Sequence, residues 1–358
     1  MEKLSPNAAS FVAKVAAIDV PTRPDPGDPT RPAPPNQEDC WKNQNEYLVK
    51  VLDLYADESG NPDVEKYIKN TELFSYPSED GTYTIESRFF RAEGENPPLV
   101  VHFHGGAMTL CHRDMPYELN TCQILRKMGC SVLTPEFRNA CEYPFPAGVD
   151  DCLTTVKWAH ANCELLGFGD AVITSGGSGG GNLSIATFVR ALEKEGRDAA
   201  RELIHGIFSD APFIRSKYVG VEKIEAVKFS PISGPSSNPQ FFCNNYTQSP
   251  DDAQSPSAWP LLASNEMLKA FPPTCLRGEE LCALREDAKE LYGRLADLGG
   301  EGCTDSERKN QIHVQWMSPA AAIGKVDAFL AIGEIGQFAK SIALMRAFMI
   351  GKKQCTRQ

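Results

Sequence analysis

The chain carries little that would hold a metal or a polyanion. Its 12 cysteines include no C-x-x-C pair and no cluster with histidine at metal-ligand spacing. Histidine itself is scarce, with 6 in 358 residues. A net charge of −11 argues against nucleic acid or an anionic membrane surface as a partner. No apolar leader follows Met1, and no run approaches the length of a membrane span. Scattered thiols without such a leader fit a reducing compartment, so a cytoplasmic location is expected. Asn245-Tyr246-Thr247 has the form of a glycosylation acceptor, which has no role there.

What remains is the make-up of a globular protein, 42% hydrophobic and 23% charged. A chain of this length buries one large core with a smaller lid, or two modest domains. Phe11, Val12, Val15, Ala16 and Ile18 stand at helical spacing, and Tyr47, Leu48, Val51, Leu52 and Tyr55 repeat the pattern. Between them, Pro21 to Pro35 reads as an extended arm. From about Asn70 the pattern changes. Leu73 to Tyr76 and Tyr83 to Phe90 form an expected hairpin around Ser78-Glu79-Asp80-Gly81. Strands are expected at Pro98 to Phe103, Ser131 to Phe137, Val172 to Thr174, Leu203 to Phe208, Thr274 to Leu276 and Ile312 to Met317. Helices are expected between them, with a last one over Phe338 to Phe348. Such alternation implies a mostly parallel sheet covered on both faces. Pro212 to Pro273 is too long for a simple crossover. The expected division is cap helices and arm over 1–69, a core over 70–211 and 266–358, and a cap insertion over 212–265.

The chemistry centres on Val172-Ile173-Thr174-Ser175-Gly176-Gly177-Ser178-Gly179-Gly180-Gly181-Asn182-Leu183. A short apolar strand runs into G-x-S-x-G and then into a helix with Ile185, Ala186, Phe188 and Leu192 on its period. A sharp strand-to-helix turn presents the serine hydroxyl, and flanking glycines let neighbouring chain approach. No Lys-Ser/Thr pair follows the glycines, which argues against a phosphate loop. Upstream, Val100-Val101-His102-Phe103-His104-Gly105-Gly106-Ala107 ends a strand in His-Gly-Gly. Backbone amides without side chains in the way are what an oxyanion hole requires, so Gly105, Gly106 and Gly179 are the candidate donors. His104 is expected to order this loop.

Taken together, these segments resemble the α/β-hydrolase fold, in its hormone-sensitive-lipase-like branch. The match includes His104-Gly105-Gly106-Ala107, Phe137-Arg138 with Tyr143-Pro144-Phe145-Pro146-Ala147 and Asp150-Asp151, and the Ser178 turn through Asn182. Ser255-Pro256, Pro260-Leu261, Pro272-Pro273 and Leu284-Arg285 extend it, in order, over roughly residues 70 to 350. The resemblance implies hydrolysis of carboxylic esters by a Ser-His-Asp triad beneath a cap, with no cofactor or metal. It also marks a departure. Cys282 stands where the family has its triad aspartate, and Asp327, in Asp327-Ala328-Phe329, stands where it has His-Gly-Phe. A serine without an imidazole is a poor nucleophile. His112, in the loop after the oxyanion segment, is the substitute base considered.

Three functions compete. The first is a non-hydrolytic enzyme of secondary metabolism, using the oxyanion hole and a buried Asp327 to cyclise or dehydrate a medium-sized apolar carbonyl compound. Plant isoflavanone dehydratases and alkaloid cyclases resemble this branch. Phe213, Tyr218, Phe229, Phe241, Phe242, Tyr246 and Trp259 would line its cavity, or form the cap's own core. The second is a carboxylesterase with a relocated base. The third is a binding protein like the plant gibberellin receptor. A small-molecule carbonyl or ester ligand is common to all three, and a homodimer is left open beside a monomer.

Overall fold

The computed structural model describes residues 64–218, 239–282, 284–300, 304–312 and 325–355. The two N-terminal helices and the arm expected before Asn70 lie outside them, as does the middle of the cap insertion.

After a short helix, α1 (Val64–Ile68), come β1 (Glu72–Pro77), β2 (Thr84–Phe90) and β3 (Leu99–Phe103). Next are α2 (Pro116–Lys127), β4 (Ser131–Glu136), α3 (Ala147–Ala161) and α4 (Cys163–Leu166). β5 (Val172–Gly177) leads into α5 (Gly179–Glu195), followed by α6 (Arg197–Leu203) and β6 (Gly206–Asp210). The cap segment contributes α7 (Pro239–Tyr246), and α8 (Asn265–Leu268) returns to β7 (Thr274–Leu281). The chain closes with α9 (Arg285–Asp297), β8 (Thr304–Ile312) and α10 (Lys325–Cys355).

These strands form one eight-stranded sheet in the order β1-β2-β4-β3-β5-β6-β7-β8. β2 runs antiparallel to both of its neighbours, and the pairs from β4 to β8 are parallel. β3 is buried along its whole length, as expected of a central strand covered on both faces. Its alternate residues feed two cores. Leu99, Val101 and Phe103 join the layer under α3 and α5, with Leu183, Phe188 and Val156. Val100 joins the opposite layer with Ile173 and Phe208, where α2 supplies Leu119, Cys122 and Leu125 and α10 supplies Ile332, Ile335, Ala339 and Ile342. The period of those helix residues is what pins each helix to the sheet.

Several expected boundaries move: the strand expected from Leu203 starts at Gly206, and β7 runs on to Leu281. β8 is Thr304–Ile312, upstream of the apolar run Ile312 to Met317, most of which lies outside the described residues. Its polar sequence suits an edge strand, which has a single neighbour and gains from charge that discourages further pairing. The last helix is 31 residues long and starts at Lys325, well before the expected Phe338 to Phe348, so that its first turn contains Asp327.

In the cap, the aromatic rings pack on one another. Phe213 stacks on Tyr218 with centroids 5.0 Å apart, Trp259 meets Phe213 at 5.7 Å and Tyr246 at 5.4 Å, and all four are buried. With Phe242 they belong to the same core cluster as Phe103 and Leu183, so the described rings pack as core that continues the layer covering the sheet. Phe229 and the side chain of Phe241 lie outside the described residues. Among the described residues no helix is long and apolar enough to cross a membrane.

Candidate active site

Ser178 sits between β5 and α5 with φ 59° and ψ −118°. A residue with a Cβ adopts such a backbone only when its surroundings fix it. Here they do. The Ser178 amide donates to the Asp210 carbonyl at 2.9 Å, and the Ser178 carbonyl accepts from the amides of Asn182 at 3.0 Å and Phe213 at 3.1 Å. Glycine is required beside it, because a Cβ on Gly180 would stand 2.0 Å from the Phe103 carbonyl oxygen. The turn is thus locked against the ends of β3 and β6. Among the described residues no side chain hydrogen-bonds the Ser178 hydroxyl.

The loop after β3 lies directly against this turn. Gly106 has φ +110°, followed by Ala107 at 53° and Met108 at 58°. A Cβ on Gly179 would lie 2.5 Å from the Ala107 nitrogen and 2.6 Å from that of Met108, so the backbone of this loop lies directly on the first turn of α5. Among the described residues none accepts a hydrogen bond from the amides of Gly106, Ala107 or Gly179. The third expected donor is different. The Gly105 amide is committed to the Glu118 carboxylate at 2.9 Å, which removes Gly105 from the set of donors. The Ala107 nitrogen, not that of Gly105, lies against Gly179.

His104 is buried, stacks on Phe137 with centroids 4.1 Å apart, and donates from Nδ1 to the Gly105 carbonyl at 2.8 Å. Burial pushes its pKa down to about 3, so it is a neutral ring that orders the loop. His112 is partly buried, and burial lowers its pKa as well. Among the described residues no hydrogen bond joins it to Ser178.

Cys282 follows β7 and is buried. Its Sγ accepts from the Leu284 amide at 3.3 Å, and burial holds the thiol well above its usual pKa. It is therefore neutral, and neither a thiolate nucleophile nor a counter-charge for an imidazolium. Asp327 belongs to the first turn of α10 by its backbone, while its side chain lies outside the described residues.

Two buried groups escape a motif-based reading. Arg277 donates to Asp210 through Nε and Nη2, both at 2.8 Å, and to Glu334 of α10 at 2.9 Å. This ion pair ties the end of β6, which holds the Ser178 amide, to β7. Glu118 is the other. It shares the apolar face of α2 with Cys122 and Leu125, and a lone carboxylate on such a face is a signal that sequence does carry.

Residues 100–317 match the family model described as alpha/beta hydrolase fold, more than half of the chain. Over 256 residues the chain is 27% identical to the versiconal hemiacetal acetate esterase of Dothistroma septosporum, covering 68% of this chain and 74% of that protein. It is 37% identical to an arylesterase of Saccharolobus solfataricus over 106 residues, 28% of this chain and 33% of that relative's length. A solved brefeldin A esterase, described as a bacterial homologue of human hormone sensitive lipase, superposes with a TM-score of 0.74 at 25% identity, over 96% of this chain and 95% of that one. The chain belongs to the α/β-hydrolase fold family, in its hormone-sensitive-lipase-like branch, and spans about a third of the length of the arylesterase it matches.

Proposed function

We propose that the protein hydrolyses a carboxylic ester, with Ser178 as nucleophile and the amides of Gly106, Ala107 and Gly179 receiving the oxyanion. One observation carries this reading. The Ser178 hydroxyl is held in a fixed, strained turn, and the Ala107 amide lies against Gly179, the residue after it. Attack of Oγ on an ester carbonyl would place negative charge on the carbonyl oxygen, where amides pointed in advance stabilise it without reorganisation. The similarity to esterases supports the same reaction class.

The base is proposed by elimination. Four of the 6 histidines are committed elsewhere. His102 bridges Ser175 and Glu118, His104 orders its loop, His160 bonds the Leu203 carbonyl, and His205 takes the Val172 amide. That leaves His112 and His313. His313 directly follows Ile312, the last described residue of β8, and Ile312 pairs with Leu281, the neighbour of Cys282. Its place in the chain makes His313 the preferred base, taking the Ser178 proton and returning it to the leaving alcohol. Hydrolysis of the acyl-enzyme then needs only water. The substrate is a small-molecule ester.

A second reading is favoured by the neutral thiol at Cys282. Without a carboxylate there to steady an imidazolium, the oxyanion hole would serve an enolate instead, with Asp327 carrying the proton in a cyclisation or dehydration. Turnover of p-nitrophenyl acetate and butyrate separates the two. Ester hydrolysis that drops at least about 1,000-fold in both Ser178→Ala and His313→Ala supports the esterase. No turnover by the wild-type protein refutes it, and turnover that survives Ser178→Ala does so as well.

A further inference from the structure

A second serine, histidine and carboxylate lie in line one layer beneath Ser178. Ser175 Oγ is 2.8 Å from His102 Nδ1, and His102 Nε2 is 2.8 Å from Glu118 Oε2. The distances are those of a catalytic relay, yet all three side chains have no exposure at all. A substrate has no route to Ser175, so the line does not serve as a hydrolytic triad.

Its other end explains what it is for. The second oxygen of Glu118 accepts the Gly105 amide at 2.9 Å. Gly105 is packed against the nucleophile turn, since a Cβ there would meet the Gly177 carbonyl oxygen at 3.3 Å and Ser178 Cβ at 3.8 Å. One carboxylate therefore joins three elements: α2, which carries it, β3 through His102, and the loop leaving β3 through Gly105. Ser175 adds β5, the strand that ends at Ser178. A single assignment satisfies every atom: the Ser175 hydroxyl donates to His102 Nδ1, His102 Nε2–H donates to Glu118, and the Gly105 amide donates to the other oxygen. Turning the Gly105 peptide toward Glu118 fixes the direction of the next peptides. These are the ones whose amides, at Gly106 and Ala107, carry no partner among the described residues.

We propose that Glu118 is a positioning residue for the oxyanion hole, aiming the Gly106 and Ala107 amides by holding Gly105, with His102 and Ser175 locking its carboxylate in register with the nucleophile strand. The proposal rests on the esterase reading for its catalytic consequence but not for its structural one. It makes a specific demand on the chemistry. Gln can replace Glu, because its carbonyl accepts from Gly105 while its amide donates to His102 Nε2, provided that His102 moves its proton to Nδ1 and donates to Ser175. Ala cannot, because the Gly105 amide is then buried without an acceptor.

The test uses the full chain and the variants Glu118→Gln and Glu118→Ala, with p-nitrophenyl acetate turnover and phenylboronic acid as a mimic of the tetrahedral adduct on Ser178. For Glu118→Ala, kcat should fall about 100-fold, KM should stay within about twofold, and boronate affinity should fall in parallel with kcat, as for a lost oxyanion-hole donor. For Glu118→Gln, both should stay within about threefold, while the ¹⁵N shifts of His102 report the move of its proton from Nε2 to Nδ1. A folded Glu118→Ala protein with wild-type kcat overturns the proposal. So does a loss confined to KM. If Glu118→Ala does not fold, Glu118→Gln decides alone: a large loss of kcat despite the proton shift overturns the proposal, and retained kcat supports it. If the wild-type protein turns over no ester, the esterase reading fails separately, and amide exchange decides. Fast exchange at Gly105 with displaced Gly106 and Ala107 resonances in Glu118→Ala, both absent in Glu118→Gln, supports positioning; an unchanged spectrum in Glu118→Ala refutes it.

Discussion

The two sides of the strand ends around Ser178 are built by different means. On the side of β3 and β5, the walls are backbone: amides bond carbonyls, glycines bring chain segments into contact where a single added carbon would collide, and one buried line of side chains, Glu118, His102 and Ser175, backs them. On the side of β6 and β7, position is set by charge. Asp210 and Arg277 form a buried pair that reaches Glu334, and Asp287 holds Arg215 at 2.9 Å together with the Tyr218 hydroxyl. The contrast explains where change is tolerated. A hole for an anion made of backbone has no side chain among its donors to exchange, so only a residue behind it, such as Glu118, can alter its shape. Cys282 is one side chain on a turn, and its sulfur accepts the Leu284 amide as an oxygen would, so the chemistry at that position changes while the turn stays.

The largest effect should come from breaking the charged side. Asp210→Ala leaves the Arg277 guanidinium buried with its bidentate partner gone. Removing one member of such a pair costs about 3–5 kcal/mol, read as a lower urea midpoint. The bond from the Ser178 amide goes to the Asp210 backbone oxygen and survives the substitution. The protein that remains folded should therefore keep its ester kcat. A cost below about 1 kcal/mol would mean that the pair is far better solvated than its burial implies. A loss of kcat in folded protein would mean that charge, and not backbone, sets the nucleophile turn.

That division also marks what could be read from the chain alone. The glycine-flanked Ser178 and the His104-Gly105-Gly106 ending of β3 are local signals, and the alternation of strands and helices around them fixes a mostly parallel sheet. What escaped was non-local. Gly105 looks like an oxyanion donor in sequence, and only a carboxylate 13 residues away on another element takes its amide. β8 reads Thr-Asp-Ser-Glu-Arg-Lys-Asn-Gln-Ile, without apolar alternation, because an edge strand has little to bury. The aromatic content of the cap was visible, but whether rings face a ligand or one another depends on packing. The Asp210–Arg277 pair joins residues 67 apart, and nothing in the local pattern of either announces the other.

The difference between the two sides is sharpened by restoring what the charged side lacks. Cys282→Asp places a carboxylate where the Leu284 amide already donates, at the turn that follows β7. If His313 is the base, this carboxylate would orient the ring and offset its charge. Ester kcat should then rise at least about 10-fold, a conservative share of what a triad acid contributes. Cys282→Ser, of nearly the same size but uncharged, should not raise it. An equal gain from both would trace the effect to packing, and no gain from Asp would remove His313 from the base's role.

The smallest effect lies at the other end of the sheet, where neither device operates. His205 stands before β6 and accepts the Val172 amide on Nδ1 at 3.0 Å, so it is needed as a neutral ring. Burial, with Arg346 and His160 nearby, pushes its pKa down to about 3. A folded-state pKa depressed below the ordinary value of about 6.5 means that the unfolded chain takes up the proton first. The stability it contributes is complete above that value and is lost as pH falls toward the folded pKa. From pH 6.5 to 5 the loss from this one group is about 1.5 kcal/mol. His205→Asn keeps an acceptor for the Val172 amide and cannot titrate, so its urea midpoint should fall less steeply over that interval. Parallel profiles for the two proteins would show that His205 opens to water before it protonates, and that the base of the sheet is looser than the end that carries Ser178.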